Sequence, residues 1–283
     1  MKKILSVFIL VSVLFSSSAF AIEIPENEKC ITETEGSPFK VSAVGDGIAA
    51  GLLVGSTVFA LKLPDIIDMP EYDEFTYDLD DVNFIDRKFA RKYSKTLDHA
   101  GDATLTLSYC LVPGIYTIQM FNNNFSEQEG LRFTVIYAET ILATQTVKNL
   151  LKTAIKRKRP YMYFDGYPED ELDNYDFEFS LPSGHTTDSF MNAAFLSYTF
   201  CKYYPESDYK IPVVATAYSL AFATAGLRMA SGNHFFTDTL AGAALGTTIG
   251  FAVPWLHTLS QKVSTENVKV SLMPTGTFVS FKF

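Results

Sequence analysis

The run Lys152-Thr153-Ala154-Ile155-Lys156-Arg157-Lys158-Arg159-Pro160 closes an apolar stretch that begins near Leu131. If that stretch is a helix, Lys152 and Arg159, seven residues apart, lie on one face two turns from each other. Pro160 then ends the helix, because it lacks an N–H and restricts Arg159 before it. An arginine at a helix end offers a fork of donors to phosphate oxygens, with Lys152 as a point charge beside it. Lys156, at i+4 from Lys152, reaches the same rim, while Arg157 and Lys158 are expected to face solvent. Taken alone, a basic cluster after an apolar helix is more often a solvated or headgroup-facing end.

Two further segments change that weighting. Pro182-Ser183-Gly184-His185 precedes Thr186 to Tyr198, which reads as a helix. Backbone N–H groups at a helix N-terminus bind anions without a charged side chain. Gly184 lets the backbone approach a ligand, Ser183 adds a hydroxyl, and His185 is placed to protonate a leaving oxygen. The third segment runs from Arg228 to His234 and Asp238. On a helix, Asp238 at i+4 accepts from Nδ1–H of His234, which frees Nε2 as a nucleophile toward phosphorus. Arg228 is expected in the loop or turn before it, binding the same phosphate. Singly, a Ser-Gly-His turn is usually a helix cap and a His-Asp pair a helix-surface contact. Together the three segments make a parts list for holding and attacking a phosphoryl group.

The three segments resemble, in order, the motifs of the type 2 phosphatidic acid phosphatase and vanadium haloperoxidase superfamily. The resemblance extends over roughly Leu131 to His257. The third motif departs from the usual pattern, because Leu227 stands where a serine is usual. The resemblance implies an all-α helical bundle and a phosphatase that needs no metal or other cofactor. It makes Lys152, Arg159 and Arg228 the phosphate-binding cations, and Ser183 and the Gly184 N–H the oxyanion donors. His185 would be the general acid, His234 the nucleophile that forms a phosphohistidine, and Asp238 its orienting carboxylate. The implied substrates are phosphomonoesters, lipid phosphates or lipid pyrophosphates. A vanadate-dependent haloperoxidase would share the pocket. A non-catalytic phosphate- or lipid-binding envelope protein is the reading from another class; binding alone would need only the cations.

The chain has 283 residues, 47% of them hydrophobic, and a formal net charge of −9. That length supports one sizeable core with appendages, and that charge argues against nucleic acid as a partner. Lys2 and Lys3, the apolar run Ile4 to Phe15 and the small residues up to Ala21 read as an export signal cleaved before Ile22. Cys30, Cys110 and Cys201 allow one disulfide in an exported protein, with its pairing open. His99 and His257 read as structural. Glu139, inside an apolar stretch, reads either as a partner for a cation or as a satisfied buried carboxylate.

Six apolar segments follow the signal, at about 44–61, 104–120, 131–151, 186–201, 211–227 and 239–256. They are near the lower limit for crossing a bilayer and also suit a soluble core. If the N-terminus is outside and the first three all cross, the loop from Lys152 to His185 falls in the cytoplasm. The first segment, with Asp46 and four glycines, reads as the weakest span. The expectation is therefore an exported, periplasmic or envelope bundle, membrane-associated, with an integral inner-membrane enzyme as the competing reading. Asp86 to His99 reads as one short amphipathic helix, and the acidic stretches 64–81 and 165–178 as surface loops, the second also as a lid. The alternating residues 268–283 around Pro274-Thr275-Gly276 read as a β-hairpin. The divisions are a signal peptide at 1–21, an N-terminal helix and acidic loop region at 22–102, a phosphatase core at 103–260 and the hairpin at 261–283.

Overall fold

The computed structural model describes residues 36–42, 45–67, 77–166 and 176–259, together with the backbone of 268–273 and 276–281. The expected export signal, Cys30 and the central parts of both acidic loops, the suggested lid included, lie outside the described residues. Seven α-helices occur among the described residues: α1 (Gly45–Ile66), α2 (Phe84–Phe89), α3 (Lys95–Phe121), α4 (Glu127–Ile155), α5 (Gly184–Tyr203), α6 (Lys210–Ala230) and α7 (Phe236–Leu259). β1 (Val268–Met273) and β2 (Gly276–Phe281) pair antiparallel, with Met273 opposite Gly276. The all-α bundle and the C-terminal hairpin expected from the sequence are both present.

Local chemistry explains several boundaries. Ser126 caps α4 by accepting from the Glu129 N–H at 3.3 Å, the first half of a capping box. Asn83 caps α2 by accepting from the N–H groups of Ile85 and Asp86. Asp86 to His99 is not one helix: α2 stops at Phe89, the chain is extended through Ala90, and α3 starts at Lys95. A break there lets residues 90–94 pass beneath the loop after α6, where the Ser94 N–H donates to the Ser231 carbonyl.

α5 is the central helix, with apolar side chains buried on every side, Phe190, Phe195, Leu196 and Tyr203 among them. Its polar residues are matched inside the core. Asn192 accepts from the Tyr137 hydroxyl at 2.7 Å and donates to Ser108 at 3.1 Å. Asp188 accepts from Lys148 at 2.8 Å. An aromatic group of Tyr116, Phe125, Phe133 and Tyr203, with centroids 4.1–5.8 Å apart, fills the end of the bundle away from Ser183.

α7 lies against α5 backbone to backbone. A Cβ on Gly242 would sit 2.8 Å from the Ser183 carbonyl oxygen, and a Cβ on Gly250 3.0 Å from the Met191 Cα. A Cβ on Gly246 would meet the Thr187 carbonyl closer still. Glycine at each fourth position thus lets two helices approach as no other residue would.

α1, α6 and α7 are long and apolar enough to cross a membrane. α1 is not the weakest of them: its mean hydropathy is 1.6, against 1.3 and 1.4 for the other two. Its glycines 47, 51 and 55 have open space around them, and Leu52 and Val58 are exposed. Thr57 holds α1 to α4 through the Leu142 carbonyl and the Thr146 hydroxyl. Exposed Ile211 and Phe222 on α6, and Leu240, Phe251 and Leu256 on α7, extend the apolar surface. Burying that surface in lipid satisfies what water would penalise, so the protein associates with membranes.

Candidate active site

The last turns of α4 and α6 and the first turns of α3, α5 and α7 meet at one end of the bundle. This alternation brings the three sequence segments together. A Cβ on Gly184 would lie 3.3 Å from Lys152 Nζ, so α4 presents its lysine directly to the first residue of α5. Ser183 occupies the N-cap position of α5, but its side chain makes no capping bond; its Oγ contacts Thr186 Oγ1 at 2.9 Å. The N-terminal end of α5 and its dipole therefore face the cations.

The first segment folds differently from its expected course. α4 ends at Ile155, and Lys156 turns the chain in a left-handed conformation (φ 50°). Arg159 is not on the helix but caps the 3-10 turn Pro160–Tyr163. It is buried: Nε donates to the Asp176 carbonyl at 2.8 Å and one terminal nitrogen pairs with the Asp176 carboxylate at 2.6 Å. The other terminal nitrogen donates to Asn233 Oδ1 at 3.0 Å and lies 3.5 Å from His234 Nε2.

Arg157 does not face solvent. Its guanidinium bridges the buried carboxylates of Asp86, at 2.7 Å, and Asp238, and lies 4.5 Å from the Phe235 ring centroid. Asp86 also accepts from the N–H and hydroxyl of Thr237. Burial raises the Asp86 carboxyl, but the bonds from Arg157, Thr237 and Asn83 outweigh it and hold the group below the usual carboxylate range. Lys158 lies over the Tyr77 ring, 4.0 Å from its centroid.

His234 precedes α7 instead of lying on it. Gly232, at φ +79°, makes the turn before it and presses on residues 91 and 92, where a Cβ would sit 2.6 Å from two carbonyl oxygens. The His234 ring is buried. Its Nδ1 is 2.8 Å from the Ser180 carbonyl oxygen and 3.9 Å from Asp238 Oδ2. A carbonyl only accepts, so Nδ1 carries the proton and Nε2 bears the lone pair toward Arg159. The expected direct bond from Nδ1 to Asp238 is thus replaced by one to Ser180. Asp238 acts one step back: it accepts from the Ser180 hydroxyl, the Phe235 N–H at 2.8 Å and Arg157, and so holds both sides of the His234 loop. Burial, then Arg159, Arg228 and Lys152, depress the His234 imidazole well below its usual value.

Arg228 sits in the last turn of α6 and not in the following loop. Its guanidinium pairs with Asp98 of α3, which also accepts from Asn233 at 3.0 Å and Tyr93 at 2.9 Å. His185 Nε2 is 2.7 Å from Asp102, one turn further along α3. Leu227 packs toward α3, its Cβ 3.8 Å from the Cβ position of Gly101.

Asp98, Asp102, Asp86, Ser180 and Asn233 were not singled out from the sequence. Asp98 and Asp102 share one helix face at i+4 spacing, which is the one local signal they carry. Asp86 and Ser180 have none, since their partners are 71 and 58 residues away along the chain. Among Cys110 and Cys201 no disulfide forms; both are free. His99, mostly exposed, lies 3.7 Å from Asp102.

Residues 133–262 match the PAP2 superfamily model. The match spans α4 to α7 and takes in all three segments of the site. A search of curated proteins finds no match. A solved structure similar to the chain is the first transmembrane PAP2 type phosphatidylglycerolphosphate phosphatase from Bacillus subtilis. It is 19% identical, with 94% of this chain and 99% of that chain covered and a TM-score of 0.41.

Proposed function

We propose that the protein is a membrane-associated phosphatase of lipid phosphates that works through a phosphohistidine at His234. The observation that carries this reading is the His234 ring, with Nδ1 held by the Ser180 carbonyl and Nε2 turned toward Arg159. A neutral imidazole in that tautomer is a nucleophile, and the surrounding cations disfavour its protonation before a phosphate arrives. Lys152, Arg159 and Arg228 stand around the same space and supply the charge for the phosphoryl oxygens. Ser183 and the N–H of Gly184 add neutral donors.

In the reaction, Nε2 of His234 bonds to phosphorus as the ester P–O bond breaks. His185, held by Asp102, gives its proton to the departing oxygen. The same imidazole then takes a proton from water, whose oxygen attacks the phosphohistidine and releases inorganic phosphate. Asp238 keeps the loop in place through Ser180 and Phe235. Lipid substrates suit the apolar faces of α1, α6 and α7, which would bring the site to a headgroup surface.

For the side of the membrane, an exported site facing the periplasm is the favoured reading, motivated by the signal at the N-terminus. The head of α1 lies near the end of α7, at the opposite end of the bundle from the site, so labelling one cysteine on each face is informative. The functional test is phosphate release from phosphatidic acid, phosphatidylglycerolphosphate, a polyprenyl pyrophosphate and soluble phosphomonoesters by detergent-purified protein. Release from the lipids, loss in His234→Asn and a phosphoenzyme trapped in alkaline denaturant, stable to base and lost in acid, are expected. Release from none of them, or full turnover in His234→Asn, would refute it.

A further inference from the structure

Glu139, His257 and Asp46 come together at the far end of the bundle, on α4, α7 and α1 respectively. One ligand atom from each lies within 4.8 Å of the others. Glu139 is thirteen residues before Lys152 on the same helix, which places this group about 20 Å from the lysine. It is separate from the phosphate site.

His257 Nδ1 is 2.9 Å from the Lys40 carbonyl oxygen, while the His257 carbonyl accepts from the Lys40 N–H at 3.1 Å. Nδ1 must therefore donate, and a neutral ring then carries its lone pair on Nε2. Yet Nε2 lies 2.8 Å from Glu139 Oε2, another lone-pair bearer. The second Glu139 oxygen, Oε1, is buried with no hydrogen-bond partner among the described residues. The Glu139 side chain is 6% exposed. A proton on Nε2 would satisfy the contact with Oε2 but would leave Glu139 Oε1 buried and unmatched beside Asp46; a cation held by all three groups matches it as well.

The arrangement is that of a metal-binding histidine, with Nδ1–H on a backbone carbonyl and Nε2 directed at the ion. One imidazole with two carboxylates suits zinc or a neighbouring divalent transition metal. The geometry points to a divalent transition-metal site formed by Asp46, Glu139 and His257 that clamps α1 and the irregular segment 37–42 to α4 and α7. The ion is structural and takes no part in phosphoryl transfer. Ligand atoms on a tetrahedral zinc with bonds of about 2.0–2.2 Å stand roughly 3.4 Å apart, so His257 Nε2 and Glu139 Oε2, now 2.8 Å apart, must open slightly to admit the ion. Asp46 is in the first turn of α1, where the Ser42 N–H already holds one of its oxygens. The rest of that helix is held mainly along the Thr57 edge, so the ion would secure its free end.

The test is zinc uptake by the full-length, detergent-purified protein after stripping with EDTA. Titration with zinc chloride followed by desalting and mass-spectrometric metal analysis should give about one zinc per chain, with a rise in Tm. Asp46→Asn and Glu139→Gln should each hold less than about a tenth of that. His234→Asn should keep the full amount, which excludes uptake at the phosphate site. No retained zinc in the wild type would overturn the proposal, whatever the variants do. So would wild-type retention in Asp46→Asn or Glu139→Gln, or loss in His234→Asn. Should Glu139→Gln fail to fold, Asp46→Asn, on the half-buried end of α1, and the wild-type titration decide.

Discussion

Gly242→Ala would separate the two helices that carry the site. The new Cβ would lie 2.8 Å from the Ser183 carbonyl oxygen and 3.1 Å from Thr187 Oγ1, where ordinary contacts begin near 3.4 Å. Ser183 is backbone at the head of α5, so it cannot turn aside as a flexible side chain would. The helices must part by about 0.6 Å or more, and overpacking of this kind costs about 1–3 kcal/mol. The functional cost is expected to be larger than the stability loss suggests. Ser183, Gly184 and His185 ride on α5, while His234 and Asp238 are set by the start of α7. Misplacing reacting groups by ~1 Å costs ~10²-fold, so a shift of this size should lower kcat/KM by at least ~10-fold. Gly226→Ala is the control, because a Cβ there meets nothing within 4 Å. It should be neutral, or stabilising by up to ~1 kcal/mol through a less flexible unfolded chain. Phosphate release and thermal unfolding of both variants in one detergent measure the two effects. Wild-type activity and Tm in Gly242→Ala would refute the argument that this glycine sets the distance between α5 and α7.

Arg157→Ala would leave the fully buried carboxylates of Asp86 and Asp238 without their shared cation. A loss of about 3–5 kcal/mol is expected, and Arg157→Lys should recover only part of it because an ammonium lacks the fork; a Tm equal to wild type in Arg157→Ala would contradict the bridge. His185→Ala should slow alkyl phosphates by ~10²–10⁴-fold but activated aryl phosphates far less, since a good leaving group needs no proton; equal losses would show that His185 chiefly binds phosphate. The depressed His234 pKa predicts that its nucleophilic form persists below pH 6.5, the ordinary imidazole value, so an acid limb of kcat/KM assigned to this residue should fall below that pH. The same depression makes its contribution to stability complete above the unfolded-state value and lost progressively as pH falls below it. Comparing the acid side of the unfolding curve for the wild type and His234→Asn measures this, and identical pH dependence would argue against a buried, neutral ring.

The local code of this protein was readable along the chain. Hydrophobic runs place the long helices, and the alternation after residue 268 marks a hairpin. Lys152, Arg159, Ser183, Gly184, His185, Arg228, His234 and Asp238 all meet at one end of the bundle, because each lies at or next to a helix terminus and consecutive helices reverse direction. Spacing alone misled wherever it assumed a continuous helix. Arg159 follows the left-handed turn at Lys156, and His234 stands before α7, so neither residue has the helical neighbours that a count of seven or four supplies.

What only the tertiary structure decided is who pairs with whom. Arg157 sits in the same basic run as Lys158, yet one, half-buried, bridges Asp86 and Asp238 and the other lies over Tyr77. The run itself holds no information about Asp86, 71 residues earlier. Likewise Ser180 displaces Asp238 as the direct partner of His234 because the chain before α5 passes closer to the ring than the first turn of α7 does. Sequence periodicity encodes which face of an element is apolar. Polar pairing inside the bundle depends on distances between elements, and those are set by packing, here above all by the glycines that let α5 and α7 touch.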